Sequence, residues 1–385
     1  FGPKLFSNTS LIYSFYELAI SAEEESTDNS DFTLGYGSGI TDYTLKQDFD
    51  WYANNKHKVK FGLQATHHTF TPDALVVKDA SFGLDIDRKT QYTSVETGLY
   101  IEDEWKITNR LKSLYGLRLS TFTTNKTTYV NPEPRVALAY NLKSDLALKA
   151  SYATMNQYVH LLSTSGVGLP TDLWVPATDL VKPQNSQQVA IGMAKDFEKQ
   201  NFSLTVEGYY KAMNNIIGYK EGASFLAIQE SDEGLESISW EENVTSGKGT
   251  SYGAEVLLQR KQGRLTGWAG YTLSWTTQQF DELNNGKKFF ARYDRRHDIS
   301  LVGVYELKEN ITLSATWVYG TGNAITLPIS TYQTNELSNV SSPSRNNFYR
   351  ANGTEYTDRN AFRMRAYHRA DIGVQVMKQK KRGVR

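Results

Sequence analysis

Two-residue alternation constrains this chain more than any other feature. Between Arg292 and Pro328, Ile299, Leu301, Gly303, Tyr305 and Leu307 alternate with Asp298, Ser300, Val302, Val304 and Glu306. Beyond Lys308-Glu309-Asn310, Ile311, Leu313, Ala315, Trp317 and Tyr319 alternate with Thr312, Ser314, Thr316 and Val318. Successive side chains of a strand point to opposite faces. The stretch therefore reads as a hairpin with one apolar face and one small or polar face, closed by a very short turn. A loop rich in Asn, Gly and Lys precedes it. A far longer loop rich in Ser, Thr and Asn follows.

The same unit recurs along the chain. Tyr43, Leu45, Phe49 and Trp51 oppose Lys46, Asp48 and Asp50. Val95, Leu99, Ile101, Trp105 and Ile107 oppose Glu96, Glu102, Glu104 and Lys106. Leu117 and Leu119, Val136 and Leu138, Ile191 and Met193, Val256 and Leu258, Ile372 and Val374 carry the pattern onward. About 14 strands are predicted in this way. Polar turns of about two to four residues, such as Thr108-Asn109-Arg110 and Lys143-Ser144-Asp145, alternate with connections of about 9 to more than 40. An up-and-down antiparallel arrangement puts all short turns on one side and all long loops on the other. That segregation is the mark of a transmembrane β-barrel, because a soluble sandwich has no reason to sort its loops. Only a closed barrel or a helix satisfies its backbone in lipid, so closure is expected to need strands beyond these.

Composition agrees where it bears on this reading. The chain has 24 Tyr, 17 Phe and 7 Trp in 385 residues. Trp51, Trp105, Tyr140 and Tyr305 fall beside short turns, and Trp275, Trp317 and Tyr319 beside long loops, as two interfacial girdles would require. No run of about 18 apolar residues exists to form a transmembrane helix. The formal net charge is zero, which gives no reason to expect a nucleic-acid partner. Cysteine is absent, so disulfides, thiolate metal sites and cysteine nucleophiles are excluded. The first residue is Phe1 and the last eight, Lys378 to Arg385, form a basic run directly after a strand. Both ends look cut, so residues 1–385 are expected to be part of a barrel domain. The basic run itself reads as a solvated turn.

Several polar clusters were candidates for chemistry. Asp294-Arg295-Arg296-His297-Asp298 opens a strand below a long loop, and its plain reading is a set of lumen-facing ion pairs that brace the wall; Arg295 and Arg296 are also candidate ligand contacts. His67 and His68 are adjacent on one strand, so they point to opposite faces and make a poor chelating pair; His68 is kept as a ligand contact and no metal site is predicted. His160 lies beside a long loop. Trp174 stands in the loop from Gly166 to Pro183, amid Pro170, Asp172, Pro176 and Asp179. Tyr158, His160 and Trp174 are the strongest ligand-contact candidates. Lys46, Asp48, Glu102, Glu104, Arg118 and Arg135 are expected to face the lumen, and their mixed signs select neither an anionic nor a cationic ligand. The glycines from Gly35 to Gly39 lack the strand–loop–helix setting of a phosphate cradle. No serine–histidine–aspartate order, zinc helix motif or paired-carboxylate pattern stands out, so no catalytic residue and no cofactor is predicted.

Five stretches at these positions resemble the barrel of TonB-dependent outer-membrane receptors, most closely those of Bacteroidota. They are PEPRVALAYNLKSDLALKASYATMNQY from Pro132, FSLTVEGYYKAMNNIIGYKEG from Phe202, GKGTSYGAEVLLQRKQGRLTGWAGYTLSW from Gly247, YDRRHDISL from Tyr293 and YGTGNAITLP from Tyr319. The resemblance covers nearly the whole chain, and order and spacing carry it more than any single motif. It implies a barrel of about 22 strands around an N-terminal plug, of which this chain lacks the plug, the TonB-box segment, the first strands and the last two. It implies energised uptake of a scarce ligand across the outer membrane of a Gram-negative cell, with TonB and outer-membrane lipid as partners. The ligands it implies are ferric siderophores, haem, cobalamin or glycans. A passive porin or adhesin-like barrel is the alternative. An outer-membrane enzyme would need a carboxylate or Ser/His cluster at the outer rim.

Overall fold

The computed structural model describes residues 2–24, 32–79, 84–162, 173–221, 223, 228–231, 234–237, 239–337 and 348–378. The gaps remove 163–172 from the loop around Trp174 and 379–385 from the terminal basic run, so those parts of the sequence reading lie outside the described residues.

Fourteen strands follow one another in a single antiparallel sheet, each paired with its chain neighbours. They are β1 (Leu5–Glu24), β2 (Phe32–Tyr52), β3 (His57–Asp79), β4 (Leu84–Lys106), β5 (Leu111–Thr124), β6 (Thr128–Lys143), β7 (Leu146–Gln157), β8 (Gln184–Phe197), β9 (Phe202–Tyr219), β10 (Val244–Arg260), β11 (Leu265–Phe280), β12 (His297–Lys308), β13 (Ile311–Gly320) and β14 (Tyr367–Val376). A two-residue strand, Phe289–Phe290, adds to β11. The sheet runs as an open path with β1 and β14 at its edges. Among the described residues no helix is long and apolar enough to cross a membrane.

Register puts the expected apolar residues in lateral rows. Leu63 pairs Leu99, which pairs Leu119. Leu258, Ala269, Leu301, Trp317 and Ala370 form another row. These rows are bare to the surroundings: Leu99 is 59% exposed, Ile191 67% and Ile372 84%. A soluble sheet would bury them; here they form a continuous apolar exterior. The opposite parity holds the charges. Lys46 pairs Asp48 at 3.1 Å, and Tyr100 donates to Asp48 from across β3. That crossing needs Gly62, because a Cβ there would collide with the Tyr100 ring.

Among the described residues six short turns lie at one rim, whereas the three-residue turn 125–127 between β5 and β6 lies at the other. Asn54 accepts from the amides of Lys56 and His57 at 2.8 and 3.1 Å. Thr108 does the same for Arg110 and Leu111 at 3.1 and 3.0 Å. Such side-chain-to-backbone turns reverse a strand in few residues. Asn201 and Gly263 supply the positive φ needed in two others. Aromatic rings mark both rims: Trp105 stacks on His57, and Trp275 stacks on Tyr252 at 5.2 Å.

The structure departs from expectation at the other rim. Long connections are expected on this side; between the third and fourth strands β3 and β4 instead stay paired to Asp79 and Leu84. Further short hairpins fill the long connections: Val159–Leu162 with Leu173–Pro176, Ile228–Ser231 with Gly234–Ser237, and Pro328–Leu337 with Phe348–Tyr356. They have no apolar–polar alternation to betray them.

Candidate functional site

Inside the wall, near the long-loop rim, one polar ladder crosses six strands. It begins at Asp42 on β2, whose carboxylate meets Nδ1 of His68 on β3 at 2.7 Å. Nε2 of His68 lies 3.7 Å from Glu96 on β4. Arg118 on β5 stands 3.9 Å from both Glu96 and Glu133. Glu133 on β6 accepts from Ser120 at 2.7 Å and from Asn156 on β7 at 3.3 Å. Asp42, His68, Glu96, Arg118, Ser120 and Glu133 share the lumen parity, and Asn156, on the other parity of β7, reaches Glu133 from near the end of its strand. Gly98 makes room for the Arg118 guanidinium, which occupies the space a Cβ would take. Three carboxylates face one guanidinium and one imidazole, so the patch is acid-rich.

An aromatic shelf sits above the ladder. Phe122 and Tyr158 stack face to face, with centroids 5.0 Å apart and planes 1° from parallel. The His68 ring packs beside Phe70 at 5.5 Å and Phe122 at 6.2 Å. The Tyr158 hydroxyl shares a 2.7 Å hydrogen bond with Ser120 and accepts from Asn131 at 2.9 Å. The structure thus brings together two candidate residues from the sequence, Tyr158 and His68, although 90 positions separate them.

His160 and Trp174 are held differently. They sit on the hairpin Val159–Leu162/Leu173–Pro176, where His160 pairs Val175 and Leu161 pairs Trp174. The two rings therefore occupy opposite faces of that hairpin. The hairpin folds inward: Leu173–Pro176 lies against β2 and β3, and Val159–Leu162 against β9. Its inner face joins a compact core of Leu162, Leu173, Val175, Val181, Tyr219, Trp240 and Val244. His160 is 2% exposed. Burial disfavours its charged form and lowers its pKa to about 4, against a hydrogen bond that the ring donates to the backbone at Lys182, which acts in the other direction. His160 is a neutral core histidine of the loop domain. Beside that core, an open recess of about 220 Å³ is lined by Tyr92, Asn125, Lys126, Asp179 and Glu241, among others.

The charged motif before β12 divides. Arg295 is half exposed and pairs Asp298 at 3.6 Å, as a brace on the lumen side. Arg296 does not face the lumen. Its guanidinium lies 4.5 Å over Trp275 and 5.3 Å over Phe290, on the apolar-exterior parity, and 3.4 Å from Asp294. Two π faces and a buried carboxylate hold it there. The Asp294 carboxylate is fully buried and is also met by Arg363 and by the Thr276 amide. Sequence reasoning missed Asp42, Glu96, Phe122 and Glu133; the available signal was their lumen parity near the outer ends of neighbouring strands. Among the described residues no group of three or more His, Asp or Glu could hold a metal ion.

A family model described as "TonB dependent receptor-like, beta-barrel" matches residues 5–378. Comparison with curated protein sequences gives no match. Solved structures match in fold. FpvA of Pseudomonas aeruginosa, bound to an iron-loaded pyoverdine, superposes with a TM-score of 0.58 at 13% identity over 97% of this chain and 48% of its own. The ferric-catecholate import receptor Fiu of Escherichia coli K12 gives 0.58 at 14% identity over 98% and 56%. The copper transporter OprC gives 0.58 at 12% identity over 98% and 56%. The chain spans about half the length of these structures.

Proposed function

The chain belongs to the TonB-dependent receptor β-barrel family of the Gram-negative outer membrane, and from that premise we propose that it forms the wall and mouth of an energised importer. In this reading a scarce extracellular ligand is captured at the mouth, and TonB, acting through a plug on the same polypeptide, releases it inward. No bond is made or broken, so the protein is not an enzyme. The observation that carries the reading is the inward-folded hairpin over the acid-rich ladder: it places an aromatic shelf and hydrogen-bonding groups under a covered mouth.

We assign ligand contact to Trp174, to the recess lined by Tyr92, Asp179 and Glu241, to the open side of the His68–Tyr158 shelf and to Arg295. His160 acts beneath them by holding the hairpin core together. The similar structures include a receptor bound to an iron–pyoverdine complex, a ferric-catecholate import receptor and a copper transporter, which favours a metal complex over a glycan; haem and cobalamin stay in the set to be tested.

The test is uptake by cells expressing the full-length receptor, offered a panel of ferric siderophores, haem, cobalamin and oligosaccharides, with and without TonB. Accumulation of one ligand that disappears without TonB is expected. Accumulation that persists without TonB, or steady ion conductance in planar bilayers, would establish the passive porin instead.

A further inference from the structure

The apolar exterior is not uniformly convex. Across β10 to β14 it carries a groove of about 500 Å³ whose lining is almost wholly apolar. The cause is one lateral row of pairs: Arg260–Gly267, Gly267–Gly303, Gly303–Ala315 and Ala315–Ile372. Three consecutive positions in that row have side chains no larger than methyl. A Cβ added at Gly303 would meet nothing within 4 Å, so the floor is open space. Leu258, Leu301 and Trp317, in the next row, form one wall.

The groove has a direction. Arg260 is the last residue of β10 and sits at the periplasmic rim, beside the turn Lys261-Gln262-Gly263-Arg264. Gly303 lies five residues from the end of β12, and Ile372 four from the end of β14. The trough therefore crosses the strands from a cationic mouth at the rim to positions four or five residues, about 13 to 17 Å, inside the strand ends, at roughly 3.3 Å per residue. The Arg260 guanidinium is posed at that mouth, 5.2 Å over the Phe202 ring, with Nε donating to the Gln262 carbonyl at 3.4 Å. Lys261 and Arg264 are exposed next to it.

We propose that this groove is a binding site for an anionic phospholipid of the periplasmic leaflet. One acyl chain lies over Gly267, Gly303 and Ala315, and the phosphate sits among Arg260, Lys261 and Arg264. Charge complementarity selects this occupant. A second copy of the chain would have to bury the three cations against its own basic turn. An uncharged lipid would leave them without a counter-ion at the interface where the groove opens.

The test uses the purified full-length receptor in detergent, with phosphatidylglycerol and phosphatidylcholine as probes and retained lipid counted by native mass spectrometry. Wild type is expected to keep one phosphatidylglycerol under conditions that strip phosphatidylcholine. Arg260→Gln should weaken phosphatidylglycerol retention by about fivefold, the share of one basic residue at an anionic surface, and leave phosphatidylcholine unchanged. Gly303→Leu, which fills free space, should abolish retention of phosphatidylglycerol; Ala315→Leu is the companion variant should the first fold poorly, judged by heat-modifiable gel mobility. Equal retention of the two lipids, or retention indifferent to both groove-filling variants, overturns the proposal. So does a change of oligomeric state on filling the groove, which would assign the face to a second copy.

Discussion

Asp294 has no solvent exposure, and its partners come from three places: the Thr276 amide on β11, Arg296 two residues on, and Arg363 far along the chain. A buried carboxylate in that position ties the loop before β12 to the segment before β14. Asp294→Ala leaves two guanidinium groups facing an empty space and should cost about 3–5 kcal/mol. Asp294→Asn keeps the bond from Thr276 and should cost less. Denaturant unfolding in detergent, with hydrogen exchange at 291–296 as the local probe, measures both. His160 gives a pH-dependent counterpart. Its folded pKa of about 4 lies below the ordinary value of about 6.5. Above pH 6.5 both states are neutral and nothing is lost. As pH falls further, only the unfolded loop takes up the proton, so stability declines until about pH 4 and then levels. The full loss is about 3 kcal/mol. Protease sensitivity of the loop between Tyr158 and Pro183 should rise over that range in the wild type and stay flat in His160→Leu. Parallel curves would remove His160 from the loop core. Neither role could be read from sequence: Asp294 looked like one charge in a run of five, and His160 is buried on a hairpin whose core includes Trp240 and Val244, some 80 positions later.

At the scale of the strand, alternation was enough. Leu99 was assigned to the exterior from its neighbours alone, and it stands there between Leu63 and Leu119. Leu99→Arg should lower barrel stability in lipid by about 2–4 kcal/mol if the site is near the bilayer midplane, and less toward either interface. Reversible folding into vesicles measures this, and an unchanged folding equilibrium would mean that β4 is turned over. The paired extensions of β3 and β4 were not legible for the same reason that Leu99 was. Period-two hydropathy records a difference between the two sides of a sheet, and above the membrane that difference vanishes. The hairpin Val159–Leu162/Leu173–Pro176 was likewise read as a loop. The ladder from Asp42 to Asn156 was legible only in part: parity placed Arg118 in the lumen, but which charges meet across strands depends on register, which one sequence does not state.

For the molecule as a whole, seven tryptophans divide into groups by solvent. Trp51, Trp105, Trp275 and Trp317 carry the exterior parity near the rims, whereas Trp174 and Trp240 belong to the loop domain and Trp268 to the lumen parity. Lipids brominated near the headgroup should quench the first group strongly, and lipids brominated at the chain ends weakly. Replacing those four with Phe should remove most of the lipid-dependent quenching, while Trp174→Phe and Trp240→Phe leave it intact. Quenching carried by the loop tryptophans would contradict the assignment of the two rims.

β2, β3 and β4 slip register at nearly one height, between Gly37 and Gly39 and between Phe70 and Asp73. Pro72, which cannot donate to a ladder, falls in the slip. A one-residue shift in a continuous ladder turns every later side chain to the wrong solvent. Here the count restarts at the slip. Residues can be gained or lost at the tips without reversing the greasy and wet sides below, so the part that meets the outside world is free to diverge while the part that meets the bilayer keeps its phase.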